Sequence, residues 1–266
     1  MDKKDIVVII PIYRVDLLEQ EKKSLIQCVA LLSDYPIIII KPEGLDVETI
    51  LMEYKLRHIE SFPPVCFSSL RAYNKMILSD YFYLRFSQYE YMLIYQLDAY
   101  VFKDELLYWA NRGYDYIGAP WVPMKSKILH NSRERYCLLL RYYFYKQIGS
   151  NKAKKLKYHW LQVGNGGFSL RRISKFIKLT QHYREKICSL LDDNCEFYPE
   201  DLLLHNEITD RKYRLKKPAY RIALKFSMEM NAEWCYDYNG KQLPFGCHAW
   251  YHKDYISFWS QIIKSE

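Results

Sequence analysis

The run Tyr91-Met92-Leu93-Ile94-Tyr95-Gln96-Leu97-Asp98-Ala99-Tyr100-Val101-Phe102 constrains the fold more than any other stretch, because a nearly unbroken apolar segment stops on one carboxylate. Segments apolar on both faces belong to strands covered by helices on either side. Open sheets of that kind bind ligands beyond the carboxyl ends of their strands. Asp98 therefore stands where a ligand is expected, and a strand-end turn cap is the alternative use of an aspartate there.

Ile6-Val7-Val8-Ile9-Ile10, closed by Pro11-Ile12-Tyr13-Arg14, forms an earlier buried strand. Asp16 with Glu19 three residues on makes a capping-box variant, and Leu18, Leu25, Val29 and Leu32 share one face of the helix that follows. Tyr35 to Ile40 is a second strand, ended by Pro42. Ser69 is placed to cap a helix carrying Leu70, Tyr73, Ile77, Tyr81 and Leu84 on one stripe. Strand, helix, strand, helix, strand predicts a doubly wound α/β domain. Further on, a short helix runs between Asp104 and Gly113, a strand covers Phe168 to Leu170, and a helix carries Ile173, Phe176, Ile177, Tyr183, Ile187 and Leu190. Asn239-Gly240 signals a hairpin.

With 266 residues, half of them apolar, the chain has enough material for one main domain with a sizeable core. Its 26 tyrosines suit half-buried clefts as well as core and rim. The net charge of +8 is uneven: residues 121–160 hold ten Lys and Arg against Glu134 alone, and the remainder is nearly neutral. One basic segment points to an anionic partner. The seven cysteines are scattered without a C-x-x-C pair, as in reduced intracellular proteins. The apolar run near Met1 is short, contains Pro11 and lacks a small-residue cleavage site, and no segment approaches a membrane span. A cytoplasmic location is the expectation.

Neither Gly-x-Gly-x-x-Gly nor a Walker phosphate loop is present. Four clusters remain: Asp98-Ala99-Tyr100, Gly164-Asn165-Gly166-Gly167-Phe168-Ser169, Pro199-Glu200-Asp201 and Gly246-Cys247-His248-Ala249-Trp250. Glu200 and Asp201 at a helix start serve equally as dipole-favoured initiation and as an acid/base pair. The glycine cluster is a tight turn or a place where backbone approaches a ligand. His248 is a hydrogen-bonded loop histidine or a metal ligand, and a zinc site built with Cys235, Cys247 and His252 is disfavoured by its spacing. Sugar transfer from a nucleotide carrier needs neutralisation of the departing diphosphate, a carboxylate near the acceptor hydroxyl, and an open floor for the sugar. The clusters offer a group for each.

In this order, the runs YQLDAYVF, GYDYIGAPW, VGNGGFSLRR, PED and LPFGCHAW resemble an uncharacterised bacterial family of GT-A nucleotide-sugar glycosyltransferases, from Ile6 to about Trp250. The resemblance implies a single GT-A-like α/β domain, Rossmann-like with a mixed sheet. Residues 1–120 would be its nucleotide-sugar half, 121–160 a basic helical insertion and 161–266 its acceptor and catalytic half. Asp98-Ala99-Tyr100 matches the first position of an Asp-x-Asp motif. Tyr100 replaces the last acid, so a divalent cation, Mn or Mg, and metal-independent catalysis are both open. By resemblance Asp201 is the base, Glu200 its partner, and Asp98 with His248 the metal ligands. Pro11, Tyr13, Arg14, Arg71, Asn74, Gln96, Asp98, Ala99 and Tyr100 are implied on the donor side, and Trp160, Asn165, Gly166 and Gly167 on the sugar and acceptor side. Such proteins move a hexose-type sugar to a saccharide or lipid-linked acceptor in surface polysaccharide synthesis. The basic segment would then meet an anionic membrane at the inner face of the plasma membrane, or a phosphorylated acceptor. A nucleic-acid-binding protein is the first rival, disfavoured because the charge lies in one segment away from Asp98. The second is an inactive carbohydrate-binding relative, favoured by Tyr100.

Overall fold

The computed structural model describes residues 1–122, 161–195 and 197–263, together with 133, 136, 137, 140, 144, 147 and 148. Trp160 and most of the basic segment lie outside the described residues. β1 (Ile6–Pro11) is buried at every position, with β2 (Ile37–Pro42) and β4 (Tyr91–Tyr95) parallel to it on either side. β3 (His58–Phe62) extends the sheet beyond β2 in parallel. β7 (Phe168–Arg172) runs antiparallel to β4, and β6 (Tyr116–Ile117) antiparallel to β7. Among the described residues this gives a mixed sheet in the order β3-β2-β1-β4-β7-β6.

Alternate side chains of a strand point to opposite faces. Ile6, Val8, Ile10 and Leu93 pack with Leu25, Cys28 and Leu32 of α1 (Glu19–Leu32), on the face that also holds Ile50 of α2 (Glu48–Glu53). Val7, Ile9, Met92 and Ile94 pack on the other face with Tyr73, Met76 and Ile77 of α3 (Leu70–Ile77) and with Phe82 and Tyr83 of α4 (Asp80–Leu84). Burial on both faces is why these strands are continuous apolar runs.

Several boundaries differ from expectation. The helix expected through Leu84 is two: the Ser69 hydroxyl accepts the Ala72 N–H at 3.1 Å to cap α3, and Ser79 accepts from Phe82 at 3.2 Å to cap α4. The restart rotates the stripe, leaving Tyr81 and Leu84 exposed, and Leu70 in the first turn of α3 is exposed as well. α1 begins at Glu19 rather than after Asp16, and the Glu21 carboxylate takes the Leu18 N–H at 2.8 Å. α5 (Leu106–Asn111) starts behind Glu105, while Asp104 accepts from the Tyr35 hydroxyl and from Lys3. The long helix after β7 is divided into α6 (Ile173–His182) and α7 (Arg184–Leu190). α8 (Glu200–Asn206) and α9 (Tyr220–Phe226) follow. Asn239-Gly240 turns no hairpin, because Asn239 caps α10 (Ala232–Tyr238) and Gly240 takes φ +68° just past it. A last short helix, α11, spans Ile256–Trp259.

A small second sheet positions the site. β9 (Gly246–Cys247) lies between β5 (Tyr100–Val101), antiparallel to it, and β8 (Ser227–Met228), parallel to it. Residues just before β5 and just after β8 and β9 therefore share one end. They are Asp98, Glu229 and His248. Among the described residues no helix is long and apolar enough to cross a membrane.

Candidate functional site

β1 has β2 on one side and β4 on the other, which makes the crevice past their carboxyl ends the switch point of the sheet. A cavity of about 410 Å³ occupies it. Pro11, Tyr13 and Arg14 leave β1 along one wall, Gln96 and Asp98 leave β4 along another, and Ser69, Leu70 and Tyr73 of α3 form a third. Phe67 and Tyr251 add aromatic faces. Arg14 donates to Glu21 at 2.7 Å, so much of its charge is already matched inside the wall. The Tyr73 hydroxyl is buried, and burial pushes its pKa up to about 12.

Five expected donor-side residues line this cavity: Pro11, Tyr13, Arg14, Gln96 and Asp98. Four do not. Arg71 points to another loop, donating to the carbonyls of Asp192 at 2.6 Å and Cys195 at 2.7 Å. Asn74 is buried within α3. Ala99 is fully buried, its carbonyl accepting from Ser24 at 2.6 Å, and the Tyr100 ring packs on Phe102 and Trp250 at 5.4 and 6.0 Å. The turn after β4 thus presents Asp98 outward and returns the next two residues to the core.

The end of the second sheet forms a polar corner that meets the cavity wall at Gln96 and Asp98. His248 Nε2 lies 3.1 Å from Asp98 Oδ1 and 3.2 Å from Gln96 Oε1, and its Nδ1 lies 3.6 Å from Glu229 Oε1. Burial alone would lower the imidazole pKa, but the carboxylates of Asp98 and Glu229 outweigh it and hold the group well above its usual value. Burial alone would raise the Asp98 carboxyl, and His248 reverses that too. The loop is locked from behind: Trp250 N–H donates to the Asp98 carbonyl at 3.0 Å, and the Trp250 indole donates to Ser24 at 2.9 Å. Two neighbouring ligands on one cation stand about 3 Å apart when each bond is about 2.0–2.2 Å. Asp98 and His248 are the residues here that could hold a divalent cation, at a separation an ion-paired hydrogen bond also gives. Among the described residues no three of His, Cys, Asp and Glu form a ligand cluster, and Tyr100 turns away.

Across the Gly164–Gly167 loop lies the acidic pair, and the two acids part company. Glu200 is buried on Arg171, whose side chain is fully enclosed, with Nη1 to Oε1 at 2.8 Å. Arg171 also donates to Tyr83 at 2.9 Å, Ser169 at 3.0 Å and the Gly166 carbonyl at 3.1 Å, so it clamps the glycine loop to the start of α8. Burial pushes the Glu200 carboxyl up, with Arg171 offsetting part of the shift. The Glu200 carboxylate, expected as the partner of Asp201, is engaged by the Arg171 guanidinium. Asp201 is partly exposed, with one oxygen accepting the Asn165 N–H at 3.0 Å and the other the Leu202 N–H at 2.8 Å. Half-buried Lys217 feels both acids. It donates to the Val163 carbonyl at 3.3 Å and lies 5.0 Å from the centre of the Tyr116 ring.

The glycine loop joins the two halves. A Cβ on Gly166 would lie 2.3 Å from Glu200 Oε2, and one on Gly167 would lie 1.9 Å from His248 Nε2. Only glycines let backbone pass between them. Asn165 adopts φ +65°, which asparagine tolerates, and its Oδ1 accepts the Gly167 N–H. Asp201 thus meets this four-residue loop at Asn165, and His248, the partner of Asp98, abuts it at Gly167. Trp160 lies outside the described residues.

A family model described as "Protein of unknown function (DUF5672)" matches residues 57–248. The chain belongs to the DUF5672 family. No curated protein matches it in sequence. Among solved structures, mouse xyloside xylosyltransferase 1 in its apo form aligns with this DUF5672 chain at TM-score 0.52 and 10% identity, over 91% of this chain and 97% of that one. A glycosyltransferase involved in the glycosylation of the major capsid of PBCV-1 aligns at 0.50 and 10%, over 97% and 98%. Core-mannan synthase A from Aspergillus fumigatus, in a Mn/GDP form, aligns at 0.51 and 11%, over 82% and 73%. At such identities the likeness concerns the fold, which is the GT-A fold.

Sequence reasoning missed Arg171, Lys217, Glu229 and Tyr251. Arg171 carried a faint signal, a charge inside the strand run Phe168-Ser169-Leu170-Arg171-Arg172, and Tyr251 adjoins a singled-out loop. Glu229 and Lys217 carried none.

Proposed function

We propose that this protein is a glycosyltransferase that moves a hexose-type sugar from a nucleoside-diphosphate donor to a hydroxyl of a saccharide or lipid-linked acceptor. One observation carries the reading: a cavity at the switch point has Asp98 in its wall, and Asp201 stands just across the glycine loop. The nucleoside would lie against Tyr13, Phe67 and Tyr251, with its diphosphate toward Asp98 and His248. A divalent cation bound by Asp98 and His248 would offset the charge that builds on the leaving diphosphate.

The remaining work belongs to the chain. The acceptor oxygen forms a bond to the anomeric carbon as the bond from that carbon to the phosphate oxygen breaks. Asp201 takes the hydroxyl proton, and the nucleoside diphosphate departs. Glu200 and Arg171 hold Asp201 and the glycine loop in register. A role in surface polysaccharide synthesis, at the cytoplasmic face of a membrane contacted by the basic segment, extends the same reading. A second reading, a donor-binding relative without turnover, is favoured by the placement of Tyr100 in an aromatic cluster rather than at the cation.

A thermal-shift panel of UDP, GDP, CMP and dTDP sugars, with and without manganese, tests donor binding, since a specific ligand raises the midpoint by mass action. Donor hydrolysis then separates the enzyme from the inactive relative. Asp98→Asn should cut turnover at least a hundredfold with the fold intact, and near-normal transfer by that variant would defeat the assignment.

A further inference from the structure

The Asp98–His248 corner has a third member on the far side of the imidazole. Glu229 follows β8, and its Oε1 lies 3.6 Å from His248 Nδ1. That nitrogen is buried and, among the described residues, lies within hydrogen-bond distance of no acceptor. The His248 N–H donates to the Met228 carbonyl at 3.1 Å, which ties the residue bearing the ring to the residue before Glu229. Gly167 leaves no side chain against Nε2, and Ala249, at φ +52°, turns the chain immediately after the ring. A non-glycine residue holds that left-handed conformation only when the surrounding loop enforces it.

An imidazole binds a cation through a nitrogen that carries no proton, and the partner of the other nitrogen decides which one that is. Here Nε2 faces Asp98 and Gln96, two residues of the cavity wall, and Nδ1 faces Glu229. We propose that Glu229 is a positioning residue: it takes the Nδ1–H of His248 and so commits Nε2 to a divalent cation shared with Asp98 and the donor diphosphate. The inference rests on the donor reading above and adds to it a residue outside every sequence motif. The second sheet then has a function, because pairing β5, β8 and β9 is what brings Asp98, Glu229 and His248 from distant parts of the chain to one end.

The test is Mn²⁺ binding, read by the paramagnetic resonance signal of free Mn²⁺. It is run with UDP or GDP, whichever gives the larger thermal shift, on wild type, Glu229→Ala, Glu229→Gln, His248→Ala and the double variant Glu229→Ala/His248→Ala. Thermal midpoints without Mn²⁺ establish that each variant is folded. Glu229→Ala should weaken Mn²⁺ about ten- to a hundredfold, the usual cost of losing a residue that orients a ligand. Glu229→Gln should recover part of that loss, because its amide oxygen still accepts the Nδ1–H. In the His248→Ala background the Glu229→Ala loss should vanish, which a merely structural role would not produce. Mn²⁺ affinity unchanged in Glu229→Ala, or lost equally in both backgrounds, overturns the proposal. If wild type binds no nucleoside diphosphate at all, the donor reading fails instead.

Discussion

Removing Glu200 should cost stability, and removing Asp201 should cost chemistry, although the two acids are adjacent in sequence. In Glu200→Ala, Arg171 stays fully enclosed with its carboxylate gone, keeping Tyr83, Ser169 and the Gly166 carbonyl as hydrogen-bond partners. Breaking a buried ion pair on one side costs about 3–5 kcal/mol, and the surviving hydrogen bonds place this case near 3. At about 2–4 °C per kcal/mol for a large domain, the midpoint should fall by about 6–12 °C. Asp201→Asn keeps an oxygen for a backbone N–H and loses a charge at a helix N-terminus, about 0.3–1 kcal/mol, while removing the proposed base should slow transfer about 10²–10⁴-fold. Urea unfolding and a donor-dependent transfer assay on both variants separate the outcomes. A Glu200→Ala protein within 1 kcal/mol of wild type but without transfer activity would refute the structural assignment and return Glu200 to the chemistry. Pairing Arg171→Met with Glu200→Leu should restore much of the loss, since an apolar pair needs no counter-charge.

Gly167→Ala would set a Cβ 1.9 Å from His248 Nε2 and 2.5 Å from Gln96 Oε1, so the imidazole must leave Asp98. We expect about 1–3 kcal/mol of destabilisation and loss of the donor-induced thermal shift, and a normal shift would show that the corner does not hold the donor. Burial lowers the Lys217 pKa to about 8, against the opposing pull of Asp201 and Glu200 and with help from Arg214. Below pH 8 both states carry the proton and the burial cost is constant. From about pH 8 to 10.5 the unfolded chain holds more protons, so wild-type stability should rise relative to Lys217→Met, by about 1–3 kcal/mol in total. Urea midpoints for the pair across that range check the slope, and parallel curves would rule the shift out.

The depth of legibility follows the range of the interactions. β1 and β4 were readable because strands buried on both faces need an apolar residue at every position, and Ile6–Ile10 and Tyr91–Tyr95 supply it. β3 was not: it pairs through β2 alone, and His58 and Ile59 are exposed, so no apolar run marks it. The stripe through Leu84 failed because Ser79 offers a local cap that restarts the helix, and local hydrogen bonds compete with a continued period. The Asn-Gly pair failed because a residue able to take positive φ serves the end of a helix as well as a hairpin.

Motif neighbours divided in the same way. Asp98 and Tyr100 are two residues apart, but the tight turn after β4 sends one to the cavity and the other to Trp250. Glu200 and Asp201 are adjacent, and a helix start turns one to Arg171 and leaves the other partly exposed.

The amino-acid order by itself determined the class of fold, the strand ends at which the cavity opens and the carboxylates placed near them, since each is written in apolar periodicity or in a short run. Only tertiary structure decided which carboxylates face the cavity, because that depends on partners such as Arg171, Glu229 and Lys217. Those partners meet their acids through strand pairing and loop closure across long separations, and side-chain contact of that range leaves no local pattern to read.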